Sequence, residues 1–182
     1  MDLHEHEIVA ENYDLYIGKQ RSETARAQFV AFHRELADEY GQQGVLDIAC
    51  GTGNIAIPLA MVGHEVWGFD LSDAMIRKLQ RKMDELNEEI RRNIHPSVQD
   101  MIDFSYDRQF SLAMIPASGF VHLRTPDEQR KALINIHSHL VSGRILTFNT
   151  FDPDLKRIAD HSGGKREERM STEFLSTNGN QV

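Results

Sequence analysis

VLDIACGTGNIAIPLA, residues 45–60, holds one acid, Asp47, inside a short apolar run that breaks at Gly51-Thr52-Gly53 and resumes with helical spacing. The stretch predicts a buried strand, a glycine turn and a helix. In such a unit the glycines let backbone approach a ligand closely, and the following helix offers free N–H groups. Taken alone, GTGNIA also matches the dinucleotide fingerprint G-x-G-x-x-A, so the glycines do not choose a ligand. Asp47 does: a carboxylate just upstream would repel a pyrophosphate and attract a ligand carrying an ammonium and a sulfonium. The plainer alternative is that Asp47 hydrogen-bonds backbone N–H groups of its own loop, since a buried carboxylate without a partner is costly.

Outward from this stretch the pattern alternates. Upstream, Ala25, Phe29, Phe32, Leu36 and Tyr40 recur at steps of three and four, predicting an amphipathic helix over residues 22–40 that Gly41 and Gly44 end. Downstream, EVWGF (65–69) predicts a second strand ending at Asp70. Ser72 then caps a long helix whose apolar positions run through Met75, Ile76, Leu79, Met83, Leu86 and Ile90. SVQDM (97–101) reads as a third strand and FSLAMI (110–115) as a fourth. Thr125, Pro126 and Glu128 make a capping-box start for a helix with Leu133, Ile136 and Leu140 on its buried face, stopping at Ser142-Gly143. RILTFNT (144–150) is the fifth strand, and Asp152-Pro153 opens another short helix. The expected fold is α/β: a doubly wound, Rossmann-like, mostly parallel sheet with helices on both faces.

The chain of 182 residues has the length of one core, so residues 1–182 are read as a single domain. Its parts are an N-terminal helical lid segment (1–41), a core (44–160) and a tail (161–182). In the tail STEFL (171–175) reads as a strand and Asn178-Gly179 as a hairpin turn, but only Asn180, Gln181 and Val182 remain for the returning arm. The C-terminal antiparallel hairpin is therefore expected to be incomplete: either the chain is a shortened form of something longer, or the tail borrows a strand from a second copy, giving a homodimer through the open sheet edge.

A net charge of −8 and a pI near 5.5 argue against nucleic acid as a partner, whose affinity for protein comes mostly from Lys and Arg. The apolar fraction of 40% and mean hydropathy of −0.46 predict a packed, water-soluble domain rather than a disordered chain. The most apolar region, residues 45–69, is interrupted by Asp47, Asn54, His64 and Glu65 and falls short of a membrane span. One cysteine, Cys50, and a start, MDLHEHE, without signal-peptide character imply a cytoplasmic address. Cys50 reads as a small packed residue, because Asp47 nearby would raise rather than lower its pKa. No metal site is expected: His4, Glu5, His6 and Glu7 do not converge, and His137 and His139 lie on different helix sides. KREER (165–169) reads as a solvated face.

VLDIACGTG and VWGFDLSDAMI (66–76) resemble the first two motifs of class I S-adenosylmethionine-dependent methyltransferases, with an acid at a strand end seventeen residues after Gly53. The resemblance runs over roughly residues 13–153. It implies S-adenosylmethionine as cofactor, S-adenosylhomocysteine as product, and methyl transfer to a small-molecule acceptor by in-line displacement. Asp47, Ala49, Gly51 and Gly53 would surround the methionine part, Asp70 would accept the ribose hydroxyls, and Leu71 and Met75 would lie beside the adenine. VQDMIDF (98–104) resembles the third motif, giving Asp100 to the adenine amino group and Met101 to the ring, with Asp103 a rival. In MIPASGFVHL (114–123), Ile115 and Pro116 would touch the cofactor and Ser118, Phe120 and His122 would face the acceptor, His122 serving as general base if one is used. ENYDLYIG (11–18) resembles the lid of small-molecule members, bringing Tyr13 and Tyr16 over the site. Absence of an N-P-P-Y-like stretch weighs against nucleic-acid amino groups as acceptor. Two rival functions stay open: a cofactor-binding module without catalysis, and a nicotinamide-dependent oxidoreductase, which would use Gly51, Gly53 and Asp70 but leaves Asp47 unexplained.

Overall fold

The computed structural model describes residues 7–20, 22–150, 155 and 156. Two helices come first, α1 (Glu7–Gln20) and α2 (Glu23–Tyr40), followed by β1 (Val45–Ile48), α3 (Ala56–Met61), β2 (Val66–Asp70), α4 (Asp73–Asp84), α5 (Glu88–Arg92), β3 (Ile94–Val98), β4 (Phe110–Ile115), α6 (Pro126–Ser138) and β5 (Leu140–Phe148). Side-chain caps start most of these helices, at Ser72 and Thr125 where the sequence places them and at Ser22 and Asn87 besides. Ser22 accepts the Ala25 N–H, Ser72 the Met75 N–H and Asn87 the Ile90 N–H, while Thr125 and Glu128 close a full capping box on α6.

The strands pair in the order β3-β2-β1-β4-β5, every pair parallel. Strand order reverses between β1 and β4, so a crevice opens beyond their carboxyl ends, the place where open α/β sheets bind ligands. Both faces are covered, as expected of parallel strands. Val45, Val66 and Leu112 face the α2, α3 and α4 side, packing with Leu59, Ile76 and Leu79. Leu46, Phe69 and Ala113 face the other side, with Phe104, Ala132 and Ile136. This confirms the α/β expectation.

Several boundaries move, each for a local reason. The buried stripe of α2 is rotated: His33 and Ala37 are buried while Ala25 and Phe32 are exposed. The His33 ring edge is satisfied by the Phe29 carbonyl at 2.7 Å, which lets a polar side chain occupy an inward position. The long helix after Ser72 stops at Asp84 and restarts at Glu88, because Asn87 caps a new N-terminus; Leu86 and Ile90 still pack on the core. β3 begins at Ile94 and carries Pro96, tolerated because β3 is an edge strand. Consequently residues 99–101 are loop rather than strand. α6 ends at Ser138, so Leu140 belongs to β5, and Ser142-Gly143 falls in a register irregularity between Phe110 and Leu112 instead of terminating a helix. Ala132, not Leu133, is buried beside Ile136. Residues 1–6 of the start, the helix opening at Asp152-Pro153, the run KREER and the whole incomplete-hairpin tail lie outside the described residues. No described helix is long and apolar enough to cross a membrane.

Candidate active site

Backbone strain collects around the crevice. Ala49, Ala117 and Ser118 all have positive φ, at 56°, 52° and 64°, a region that costs a side-chain-bearing residue on the order of 1–3 kcal/mol. All three follow strand ends at the switch point. The turn after β1 is folded on itself by the Gly53 N–H donating to the Cys50 carbonyl at 3.0 Å. Asp70, at the end of β2, ties that turn to the neighbouring strand: its Oδ2 accepts the Gly51 N–H and its Oδ1 the Ser72 N–H, each at 2.9 Å.

Two hollows meet in the crevice. The first, of about 220 Å³, is bounded by Asp70, Leu71 and Met75 on one side and by Gln99, Asp100, Met101 and Ile102 on another. Its floor and far wall include Phe69, Gly51, Gly119, His122, Leu123 and Glu128. Asp100 shapes its own loop by accepting the Ile102 N–H at 2.9 Å. The second hollow, of about 260 Å³, is lined by Asp47, Cys50, Asn54 and Ile55 from the glycine turn and by Asp14, Ile17, Arg26, Phe29 and Val30 from the N-terminal helices. Tyr13, Ala49, Pro116 and Ala117 line both, and therefore mark the junction.

Asp47 is the most unusual group here. It is fully buried, and neither carboxylate oxygen makes a hydrogen bond within the described structure. Burial first, and then the charge of Asp70 across β1 and β2, push its pKa up to about 7, with the Ala56 backbone N–H opposing in part. Of the loop-bonding alternative there is only this partial opposition from Ala56, with no hydrogen bond made to either oxygen. Cys50 is buried beside it, and burial together with the Asp47 and Asp70 charges raises its thiol well above the ordinary range, so it is an inert packing residue.

Most of the residues singled out from sequence converge on the two hollows: Tyr13, Ala49, Gly51, Asp70, Leu71, Met75, Asp100, Met101 and His122 line the first, and Asp47 the second. Five do not. Ile115 is fully buried among Leu46, Ile48 and Phe69, and Pro116 with Ala117 takes its place at the crevice. Gly53 lines neither hollow; a Cβ there would stand 2.4 Å from Leu79 Cδ1, so its φ of +81° and its missing side chain serve to seat the turn on α4. Ser118 turns toward Asn149, whose Nδ2 donates to its Oγ at 3.1 Å, and Phe120 packs on Phe148. Tyr16 is exposed on α1 away from the crevice. Asp103, the rival to Asp100, is also outside both hollows. Gln99, Ala117, Arg26 and Glu128 were missed: Gln99 and Ala117 are loop residues with no periodic signal, Arg26 reads as an ordinary helix charge, and Glu128 reads only as a cap.

Residues 45–143, more than half of the chain, match the family model of the methyltransferase domain. The chain belongs to that family. Among its methyltransferase relatives, glycine N-methyltransferase of Homo sapiens is 31% identical over 150 residues, covering 75% of this chain and 50% of that protein. A dTDP-3-amino-3,4,6-trideoxy-alpha-D-glucopyranose N,N-dimethyltransferase of Streptomyces venezuelae is 27% identical over 139 residues, covering 75% and 54%. The chain spans about half the length of the curated relatives it matches. Among solved structures, the glycopeptide N-methyltransferase MtfA complexed with S-adenosyl-L-methionine superposes with a TM-score of 0.59 at 24% identity, covering 66% of this methyltransferase chain and 53% of that one. That likeness confirms the methyltransferase-type α/β fold.

Proposed function

We propose that the two hollows bind S-adenosylmethionine at their junction and that the protein transfers its methyl group to the nitrogen of a small-molecule amine. The observation that carries this reading is Asp47, a fully buried carboxylate with no hydrogen-bond partner, lining the second hollow beside the glycine turn. A buried acid of this kind is relieved by a cation and worsened by a phosphate, which favours an ammonium- and sulfonium-bearing cofactor over a nicotinamide dinucleotide. The rest of the donor set suits the same ligand. Asp70 lines the first hollow at the end of β2, and a carboxylate there can accept both ribose hydroxyls. Leu71, Met75, Met101 and Ile102 provide apolar walls for the adenine, with Asp100 at hand for its amino group.

Bound there, the cofactor supplies an activated methyl carbon, and the protein's task is placement. Tyr13, Ala49, Pro116 and Ala117 at the junction exclude water and hold the acceptor in line. Amine acceptors are supported by relatives named for N-methylation of glycine and of an amino sugar. A neutral amine needs no base to attack, and His122 lines the first hollow rather than the second. His122→Ala is therefore expected to leave kcat within about tenfold, where loss of a true general base would cost ~10²–10⁴-fold. Single-turnover rates with an acceptor found by screening amines decide between these.

Calorimetric titration of the full chain with S-adenosylhomocysteine tests the reading itself. Micromolar binding that Asp47→Asn abolishes is the expected result. Absence of binding to a chain shown by circular dichroism to be folded would overturn it, and binding of reduced nicotinamide cofactor instead would revive the oxidoreductase.

A further inference from the structure

We propose that Lys82 is a positioning residue: through Asp14 and Thr52 it locks α1, the helix that carries Tyr13, onto the glycine turn, and so governs how tightly the site closes over its cofactor. The proposal rests on the reading of the hollows given above. Thr52 stands between Gly51 and Gly53 and is fully buried, and its hydroxyl donates to Asp14 Oδ1 at 2.6 Å. The other Asp14 oxygen takes Lys82 Nζ at 3.1 Å, and the same ammonium lies 3.5 Å from both Thr52 Oγ1 and Asn54 Oδ1. One α4 ammonium thus meets the lid helix and two residues of the glycine turn, Thr52 and Asn54.

This contact is the inner end of a longer clasp. Glu7, Glu11 and Asp14 lie on one face of α1, and Arg77, Lys78, Arg81 and Lys82 on one face of α4. Arg77 donates to Glu7 at 2.7 Å, Lys78 to Glu11 at 2.9 Å, and Arg81 also to Glu11. The apolar seam beneath is small, with Ala10 against Ala74 and Met75 and with Val9 and Tyr13 partly buried, while Ile8, Leu15 and Tyr16 face solvent. Helix α1 therefore buries little apolar surface against α4, and the charged clasp is its other attachment. The pairs at Glu7 are half exposed and contribute little, whereas Lys82 and Asp14 are the ones joined to a buried hydroxyl. Tyr13 and Asp14 are neighbours on α1, so a helix that lifts at Asp14 removes the Tyr13 wall shared by both hollows.

The test compares wild type, Lys82→Met, Lys82→Arg and Asp14→Asn by S-adenosylhomocysteine calorimetry and by amide hydrogen exchange of residues 7–20. Lys82→Met is expected to bind about five- to tenfold more weakly and to exchange α1 amides faster, with Asp14→Asn similar and Lys82→Arg near wild type. Raising salt from about 0.05 M to about 0.5 M should weaken wild type more than Lys82→Met, since screening then acts on a contact the variant already lacks. Wild-type affinity in Lys82→Met overturns the proposal. A lowered Tm with unchanged affinity does so as well, and shows a merely structural ion pair. If wild type itself binds no S-adenosylhomocysteine, the functional reading fails, and unchanged α1 exchange in Lys82→Met would separately dismiss the lock.

Discussion

Asp47 and the two glycines differ in what their substitution should do. Asp47 has a folded pKa near 7 against about 3.8 in the unfolded chain, so the folded state holds a proton that the unfolded state has lost between those values. Its contribution therefore becomes less favourable as pH rises from about 4 to about 7 and is constant above, a swing on the order of 4 kcal/mol before other groups are counted. Asp47→Asn is expected to raise the Tm of the ligand-free protein at pH 8 and to raise it by less than half as much at pH 5. Equal effects at both pH values would show that Asp47 titrates normally. Gly53→Ala meets both a backbone at φ +81° and Leu79 Cδ1, and should cost about 2–4 kcal/mol in denaturant unfolding. At Gly51 a Cβ would stand 3.6 Å from Tyr13, ordinary contact, so Gly51→Ala should cost only ~1 kcal/mol yet weaken ligand binding, because Gly51 lines the first hollow.

At the scale of elements, the local signals worked where they were local. Caps and turn residues act through bonds three or four positions apart, and Ser72 and Thr125 stand where they were expected. Thr125→Ala removes one half of the α6 capping box and is expected to cost about 1 kcal/mol by thermal melting, leaving ligand affinity untouched although Glu128 lines the first hollow. Affinity that fell with stability would mean the box also sets the shape of the hollow. What failed was orientation. A 3.6-residue period admits two neighbouring stripes on α2, and only the His33 bond to the Phe29 carbonyl explains why the inward stripe contains a histidine and leaves Phe32 in solvent.

For the molecule as a whole, parallel pairing brings Asp47 and Asp70 to the same end of adjacent strands, where their like charges oppose ionisation of the buried one. A cationic ligand reverses this, so binding at pH 6 should release about one proton and affinity should rise with pH until about 7, then level. Titrations in buffers of different ionisation enthalpy measure that proton directly; none released at pH 6 would place the ligand's charge away from Asp47. Sequence by itself determined the alternation of strands and helices, the helix starts at Ser72 and Thr125, and the interest of Asp47 and Gly51, because each rests on spacing within one unit of the chain; Asp70 and Asp100 were singled out through the resemblance to the family's motifs. Only the tertiary structure decided which of them share a hollow. Ile115 and Pro116 are neighbours in sequence, yet one lies in the core and the other in the crevice. The lock of Asp14, Thr52 and Lys82 joins positions that no local period connects, since it exists only once α1 lies along α4.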